Sequence, residues 1–354
     1  MRYTILLLVC LSSWLRAQDP LYADYSSAAP LLNPALTGFI RGQATTRAGV
    51  TARDQWRSFL ETANYRSVGV AVDHRFCGDR QGDYFGLGLS LNSDWQGQPS
   101  LRRTDGYLTG AYTKNLGKNY YSGTSLSVGA ELGFVQYHLD TEGMTFDEQF
   151  DDPGSPGERF DRYNLSVLDY GAGVLYAWRK DQRSSLSATA GLSIRHLGKP
   201  AVTFYDDGSL SSTQSDSTAQ LATRWTPHVS GTLPVGGSDR SSLSLFAAYH
   251  YQRPFQRAYL RLLFNLEPGR RARAQSPGGG ISLGGGYRLT RGVEGLDSES
   301  LVAVVRLYLG QFDLGLNYDI NVSSLRQSTS GAGALELSMT MQFGEGGCFY
   351  CPSF

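Results

Sequence analysis

Four places in this chain carry residue types that could do chemistry, and each has a plainer use. Gly280-Ile281-Ser282-Leu283-Gly284 has the spacing of a hydrolase nucleophile elbow, which presents its serine on a sharp turn from a strand into a helix. Here it lies inside an alternating, glycine-rich stretch, so a strand is expected and Ser282 is not read as a nucleophile. Cys348-Phe349-Tyr350-Cys351 has the spacing of a redox or half-zinc motif. A thioredoxin-type site needs a following helix, and zinc needs two further ligands. The pair stands in a short glycine-rich tail with no histidine nearby. A local disulfide between Cys348 and Cys351 is therefore the expectation for an exported chain, with Cys77 left over and unpaired. His74, His138, His196, His228 and His250 are dispersed without ligand spacing. The acidic run Asp147, Glu148, Asp151 and Asp152 lacks the spaced ligands of a calcium loop, and no Walker or dinucleotide fingerprint is present. The expectation is no enzyme: no catalytic residues, no metal, no cofactor.

Composition points the same way. The chain of 354 residues contains 42 Gly, 21 Tyr and 16 Phe, and only 18% of it is charged, against roughly 25% in an average soluble domain. Lys plus Arg and Asp plus Glu both number 32. A net charge of zero gives no field for steering to nucleic acid, so no nucleic-acid partner is expected. Arg270, Arg271 and Arg273 form a short basic cluster that reads as a solvated turn.

The elements that must position these residues are strands. Arg2 followed by the apolar run Tyr3 to Trp14, with Leu15-Arg16-Ala17 behind it, reads as an export leader over 1–17 that leaves Gln18 at the mature N-terminus. The run is too short to span a bilayer, and no later segment approaches the about 20 apolar residues of a spanning helix. Instead, alternation with period two recurs along the mature chain, as in Phe85-Gly-Leu-Gly-Leu-Ser-Leu91 and Leu335-Glu-Leu-Ser-Met-Thr-Met-Gln-Phe343. That spacing separates a greasy from a small or polar face only in a strand. About fourteen such segments occur, near 43–52, 64–74, 83–92, 104–115, 122–136, 166–179, 185–196, 222–233, 241–251, 257–267, 278–289, 299–309, 311–321 and 333–343. Most reach ten residues, longer than the about 5–6 of globular strands and suited to tilted membrane strands. The expected fold is all-β: a transmembrane antiparallel β-barrel of about 14 strands. Long polar connections at 137–165 and 197–221 alternate with short ones such as the link at Gly310, the asymmetry of outer-membrane barrels. Tyr107, Tyr112, Tyr120, Tyr121, Tyr170, Tyr176, Trp178, Trp225, Tyr249, Tyr251, Tyr287 and Tyr308 near strand ends suit an aromatic girdle.

Several short patterns then coincide. Gln18-Asp19-Pro20, Tyr25, and Asn33-Pro34-Ala35 with Gly38 resemble the opening of the PorP/SprF family. Arg53-Asp54-Gln55-Trp56 is similar to its Arg-x-Gln-Trp. Asn92 and Asp94 with Gly97, Tyr318-Asp319, Ser323-Ser324-Leu325, Gly333, Glu336 and Cys351-Pro352-x-Phe354 follow in order. Leu36-Thr37 before Gly38 and Gly333-Ala334-Leu335-Glu336 depart from the usual pattern. The resemblance implies an integral outer-membrane barrel of Bacteroidetes, similar to the fatty-acid-transporter type, in the type IX secretion and gliding machinery. The implied partners are outer-membrane lipid, periplasmic ring and motor components, and a secreted adhesin as cargo.

Read physically, proline pushes Asn33 towards an extended backbone and asparagine caps well, so 18–42 is expected to be an ordered periplasmic segment and a candidate plug. The barrel proper would occupy 43–343 and a periplasmic tail 344–354. Trp56 suits an interface anchor, and Arg53 a local salt bridge with Asp54 or a lumenal network. The leading expectation is an anchoring or export component. The alternative is an outer-membrane barrel transporting solutes or lipids.

Overall fold

A computed structural model describes residues 19, 21–42, 44–57, 65–77, 82–97, 101–117, 123–142, 160–180, 186–204, 220–236, 241–266, 279–292, 295–324 and 326–345. The strands are β1 (Ala44–Gln55), β2 (Tyr65–Cys77), β3 (Tyr84–Gln96), β4 (Leu101–Asn115), β5 (Gly123–Leu139), β6 (Asn164–Arg179) and β7 (Ser187–Arg195). They continue with β8 (Arg224–Pro234), β9 (Ser241–Gln252), β10 (Phe255–Leu266), β11 (Gly280–Gly292), β12 (Gly295–Leu309), β13 (Phe312–Asn321) and β14 (Ala334–Glu345).

Each strand pairs antiparallel with its sequence neighbours, and β1 closes on β14 from Ala44↔Glu345 to Gln55↔Ala334. Closure leaves no edge strand, as a barrel spanning a bilayer requires, since lipid satisfies no backbone group. All fourteen expected strands are present, several extending two to four residues further than the alternation alone marked.

The end of the barrel where β1 begins and β14 finishes is called here the terminal end, and the opposite one the far end. The long connections 140–163 and 196–223 lie at the far end, as expected. That end also has strands that follow one another closely in sequence, β4 after β3, β10 after β9 and β12 after β11, so the asymmetry is less clean than the sequence pattern indicates.

Alternation sorts the side chains. Outward positions carry exposed Leu87, Leu89 and Leu91 on β3 and Leu335, Leu337 and Met339 on β14. Inward positions carry buried charge: Arg103 and Asp105 on β4, Glu131 on β5, Asp169 on β6, Arg195 on β7. An apolar exterior around a charged interior inverts the soluble arrangement and is the pattern of a membrane barrel. Two girdle candidates are corrected here. Tyr107 is buried in the lumen, its hydroxyl donating to Asp169 at 2.6 Å. Tyr308 shares the inward parity of Arg306 and lies under the Arg41 and Arg306 guanidinium groups. Both sit on the same strand face as charged neighbours, and that decides the direction of an amphipathic ring. Tyr112, Tyr170, Tyr176, Trp225 and Tyr249 are exposed outside; Tyr120 and Tyr121 lie outside the described residues.

Candidate functional site

Residues 21–42 run through the lumen from the far half towards the terminal end, and most of them are buried. Two short 3₁₀ turns, Ala29–Leu31 and Pro34–Leu36, compact the path. Asn33 is extended at φ −154°, as the following proline demands, and its Oδ1 caps the second turn by accepting the Ala35 N–H at 2.9 Å. Inward glycines make room for this backbone. A Cβ on Gly49 would lie 1.8 Å from the Ser27 carbonyl oxygen, one on Gly86 2.2 Å from that of Thr37, and one on Gly129 2.5 Å from the Ala35 nitrogen.

Three sets of contacts hold the segment. At the far half, the Asp19 carboxylate takes Arg224 at 2.6 Å, His196 Nε2 at 2.8 Å, and Arg103. The other ring nitrogen of His196 faces Asp169 at 2.7 Å. With a carboxylate on each side both nitrogens must donate, so the ring is an imidazolium. Burial works to raise the Asp19 carboxyl, but Arg103, His196 and Arg224 outweigh it and hold it well below the usual carboxylate range. Burial likewise works to lower His196, but Asp19 and Asp169 leave it raised.

Also in the far half, Glu336 on β14 accepts the backbone N–H of Ala23 at 2.7 Å and of Asp24 at 2.8 Å. Asp24 itself lies between Arg261 at 3.1 Å and Arg306 at 3.2 Å. Burial opposes its ionisation, yet the two cations and the Ser26 N–H hold it below its ordinary value. Arg53 bridges from Glu336 at 3.4 Å to Asp319 at 2.6 Å, which Arg288 also contacts.

Towards the terminal end, Asn33 Nδ2 donates to the Val174 carbonyl at 3.1 Å and faces His228 Nε2 at 3.0 Å. Ser193 and Ser127 donate to the Leu32 and Ala35 carbonyls, each at 2.8 Å. Asp73 accepts the Gly38 N–H at 2.7 Å and is held by Arg47 through two nitrogens at 2.8 and 2.9 Å. Arg75 closes the exit, donating to the carbonyls of Ile40, Gly42 and Ala44.

The structure therefore brings together residues the sequence motifs had left far apart. Asn33, Pro34, Ala35 and Gly38 lie in the lumenal segment; Arg53, Asp319 and Glu336 form one network beside it. Arg53 joins this network rather than Asp54, which pairs outward with Arg57 at 3.4 Å and Arg66 at 4.0 Å. Gln55 accepts from Arg53 at 3.4 Å. A Cβ on Gly333 would lie 1.9 Å from the Asp319 carbonyl oxygen. Asp94 faces the lumen from β3 and accepts from Gln96 at 2.6 Å. Trp56 and Tyr318 stand apart: Trp56, at φ 61°, packs edge-on against Tyr65, and Tyr318 is exposed on the outer wall. Motif reading missed Asp24, Arg103, His196, Arg261 and Arg306. For these, the parity of Arg103, Arg261 and Arg306 in their strands pointed inward.

Ser282 sits within β11 and donates to Asn265 Oδ1 at 2.6 Å, with no elbow around it. Among the described residues no cluster of His, Cys, Asp or Glu could hold a metal ion. Cys77 is disulfide-bonded, which corrects the expectation of an unpaired thiol. Cys348, Cys351 and the acidic run at 147–152 lie outside the described residues.

A closed barrel with an apolar outer wall, its lumen threaded by its own N-terminal segment, defines a membrane barrel. The chain belongs to the PorP/SprF family: the profile of the type IX secretion system membrane protein PorP/SprF matches residues 15–341. No curated protein matches it. Among solved structures it is similar to a FadL homologue of Pseudomonas aeruginosa, with 12% identity and a TM-score of 0.46 over 90% of this chain and 94% of that one. The CymD monoaromatic hydrocarbon channel matches at 12% identity and 0.46, over 90% and 93%. CdiB from Acinetobacter baumannii matches at 8% and 0.44 over 84% of this chain, which spans 60% of CdiB.

Proposed function

We propose that this chain is a non-catalytic outer-membrane component of the type IX secretion and gliding machinery that anchors surface proteins or assists their export. In this reading the terminal end faces the periplasm, where ring and motor components dock, and the far end faces the exterior and a secreted adhesin. Residues 1–17 are removed on export, 18–42 act as a plug, and the tail 344–354 offers a periplasmic contact. The observation that carries the reading beyond family membership is the occupied lumen. Buried ion pairs lose much of their attraction to desolvation, but removing one partner leaves a buried charge at a cost of about 3–5 kcal/mol. A segment held by several such pairs does not yield to a passing solute, which argues against the alternative of a solute or lipid transporter.

The test is a mild-detergent pull-down of the tagged protein from its native membrane, with mass spectrometry. Recovery of periplasmic ring components or one large adhesin is expected. A barrel recovered alone that conducts ions in planar bilayers would favour the transporter.

A further inference from the structure

The outer wall of β1 to β4 carries, near the far end, a feature the lumenal network leaves unexplained. The register aligns the outward residues in rows. One row reads Tyr318, Leu335, Asp54, Arg66, Trp95 and Arg102 across β13, β14, β1, β2, β3 and β4. The row beneath places Ala52 between Leu337 and Val68. Ala52 is the low point between two larger side chains, and a recess of about 500 Å³ opens there, walled by Val68, Leu335, Leu337 and Tyr318, with Asp54, Arg57 and Arg66 at its mouth.

Among the described residues the charge at this recess is unbalanced. Arg57 and Arg66 are 75% and 58% exposed and both pair with the carboxylate of Asp54. Arg102 is exposed beside them, its guanidinium over the Trp95 ring at 5.1 Å. Among the described residues, three guanidinium groups beside one carboxylate, near the far-end margin of an apolar wall, match a ligand that is anionic at its head and apolar in its tail. Guanidinium binds phosphate through two parallel hydrogen bonds and is less strongly hydrated than an ammonium group, which suits a headgroup boundary.

We propose that this face is a seat for a phosphorylated, acylated glycolipid of the outer leaflet, its phosphate on Arg57, Arg66 and Arg102 and an acyl chain in the recess over Ala52. The placement rests on the orientation given above, with the far end outward; the binding itself does not depend on any role in secretion. Such a lipid would fix the height and rotation of the barrel in the membrane and leave β5 to β12 free for other contacts.

Delipidated full-length barrel in detergent, titrated with diphosphoryl lipid A and read by native mass spectrometry, tests the proposal. Saturable binding of lipid A is expected, weakened at least tenfold in R57A/R66A/R102A and in A52W, with both variants keeping the heat-modifiable electrophoretic mobility of a folded barrel. Dephosphorylated lipid A should bind at least tenfold more weakly, and inorganic phosphate should not compete at equal concentration. Equal binding of the dephosphorylated lipid, competition by phosphate alone, or unaltered binding to folded A52W would each overturn it. Should the triple arginine variant fail to fold, A52W and the dephosphorylated lipid decide the matter. A barrel that binds lipid A yet recovers no secretion partner would refute the proposed function and leave this site standing.

Discussion

Glu336 is a single side chain doing three jobs: it caps the N–H groups of Ala23 and Asp24 and it shares Arg53 with Asp319. Substitution E336A would leave two backbone donors and part of a guanidinium buried without an acceptor. A loss of about 3–5 kcal/mol is expected on the scale of broken buried pairs, read as a lower melting temperature and faster proteolysis of the lumenal segment. E336Q retains acceptors and should lose clearly less. The Asp19–His196 pair carries a pH dependence. Asp19 has a lowered folded value, so its stabilisation is present above the ordinary carboxylate range and is lost only as pH falls through the depressed value. His196 has a raised folded value, so its contribution is complete below the ordinary 6.5 and is lost as pH rises through the raised value. Asp169, Arg103 and Arg224 face the same site. Melting temperature should therefore fall as pH rises from about 6.5 into the alkaline range, and H196N should flatten that limb. Cys77 gives a covalent prediction. If residues 1–17 are removed on export, as proposed above, Cys10 leaves with them and the disulfide of Cys77 has Cys348 and Cys351 to draw on. Non-reducing peptide mapping should link Cys77 to the C-terminal peptide; a free Cys77 beside a closed Cys348–Cys351 pair would be the contrary result.

Among the elements, the inward glycines decide whether the segment can seat. In G49V the added side chain would meet the Ser27 carbonyl, a backbone atom that cannot swing aside. The outer wall around it is untouched, since Ala48 and Val50 keep their outward places. The barrel should fold and retain its heat-modifiable mobility while residues 19–42 become accessible to protease; a segment that stays protected in folded G49V would show that the seat is looser than the close approach implies. This also marks what was legible in the sequence. The strands were, because period two in hydrophobicity is local, and Asn33-Pro34 announced its turn. The network was not: Arg53 and Asp319 are 266 residues apart, and only closure of β1 on β14 brings them together. Inward glycines such as Gly49, Gly86 and Gly129 read as ordinary small residues until the segment they accommodate is in place. Tyr107 was misread outward although Arg103, Asp105 and Thr109 share its parity, a signal that outweighs its nearness to a strand end.

For the whole molecule, the occupied lumen sets a functional limit. The contacts from Asp19 to Gly42 touch nearly every strand of the wall, from Arg75 on β2 to Glu336 on β14. If the segment is a plug in the working protein, the wild-type barrel should be silent in planar bilayers across physiological salt. G49V, with the segment displaced but the wall intact, should open steps of ionic current, because a fourteen-stranded wall lined by charged residues and hydroxyls would then hold water. E336A should conduct intermittently, since Asp19, Asp24 and Asn33 still hold the segment. The comparison separates two uses of the same architecture. Closed wild type with conducting G49V makes the wall a channel-sized frame that evolution keeps shut, consistent with an anchoring part of a larger machine. Wild type that conducts as well as G49V would mean the segment leaves the lumen on its own, and the transport reading would then displace the anchoring one.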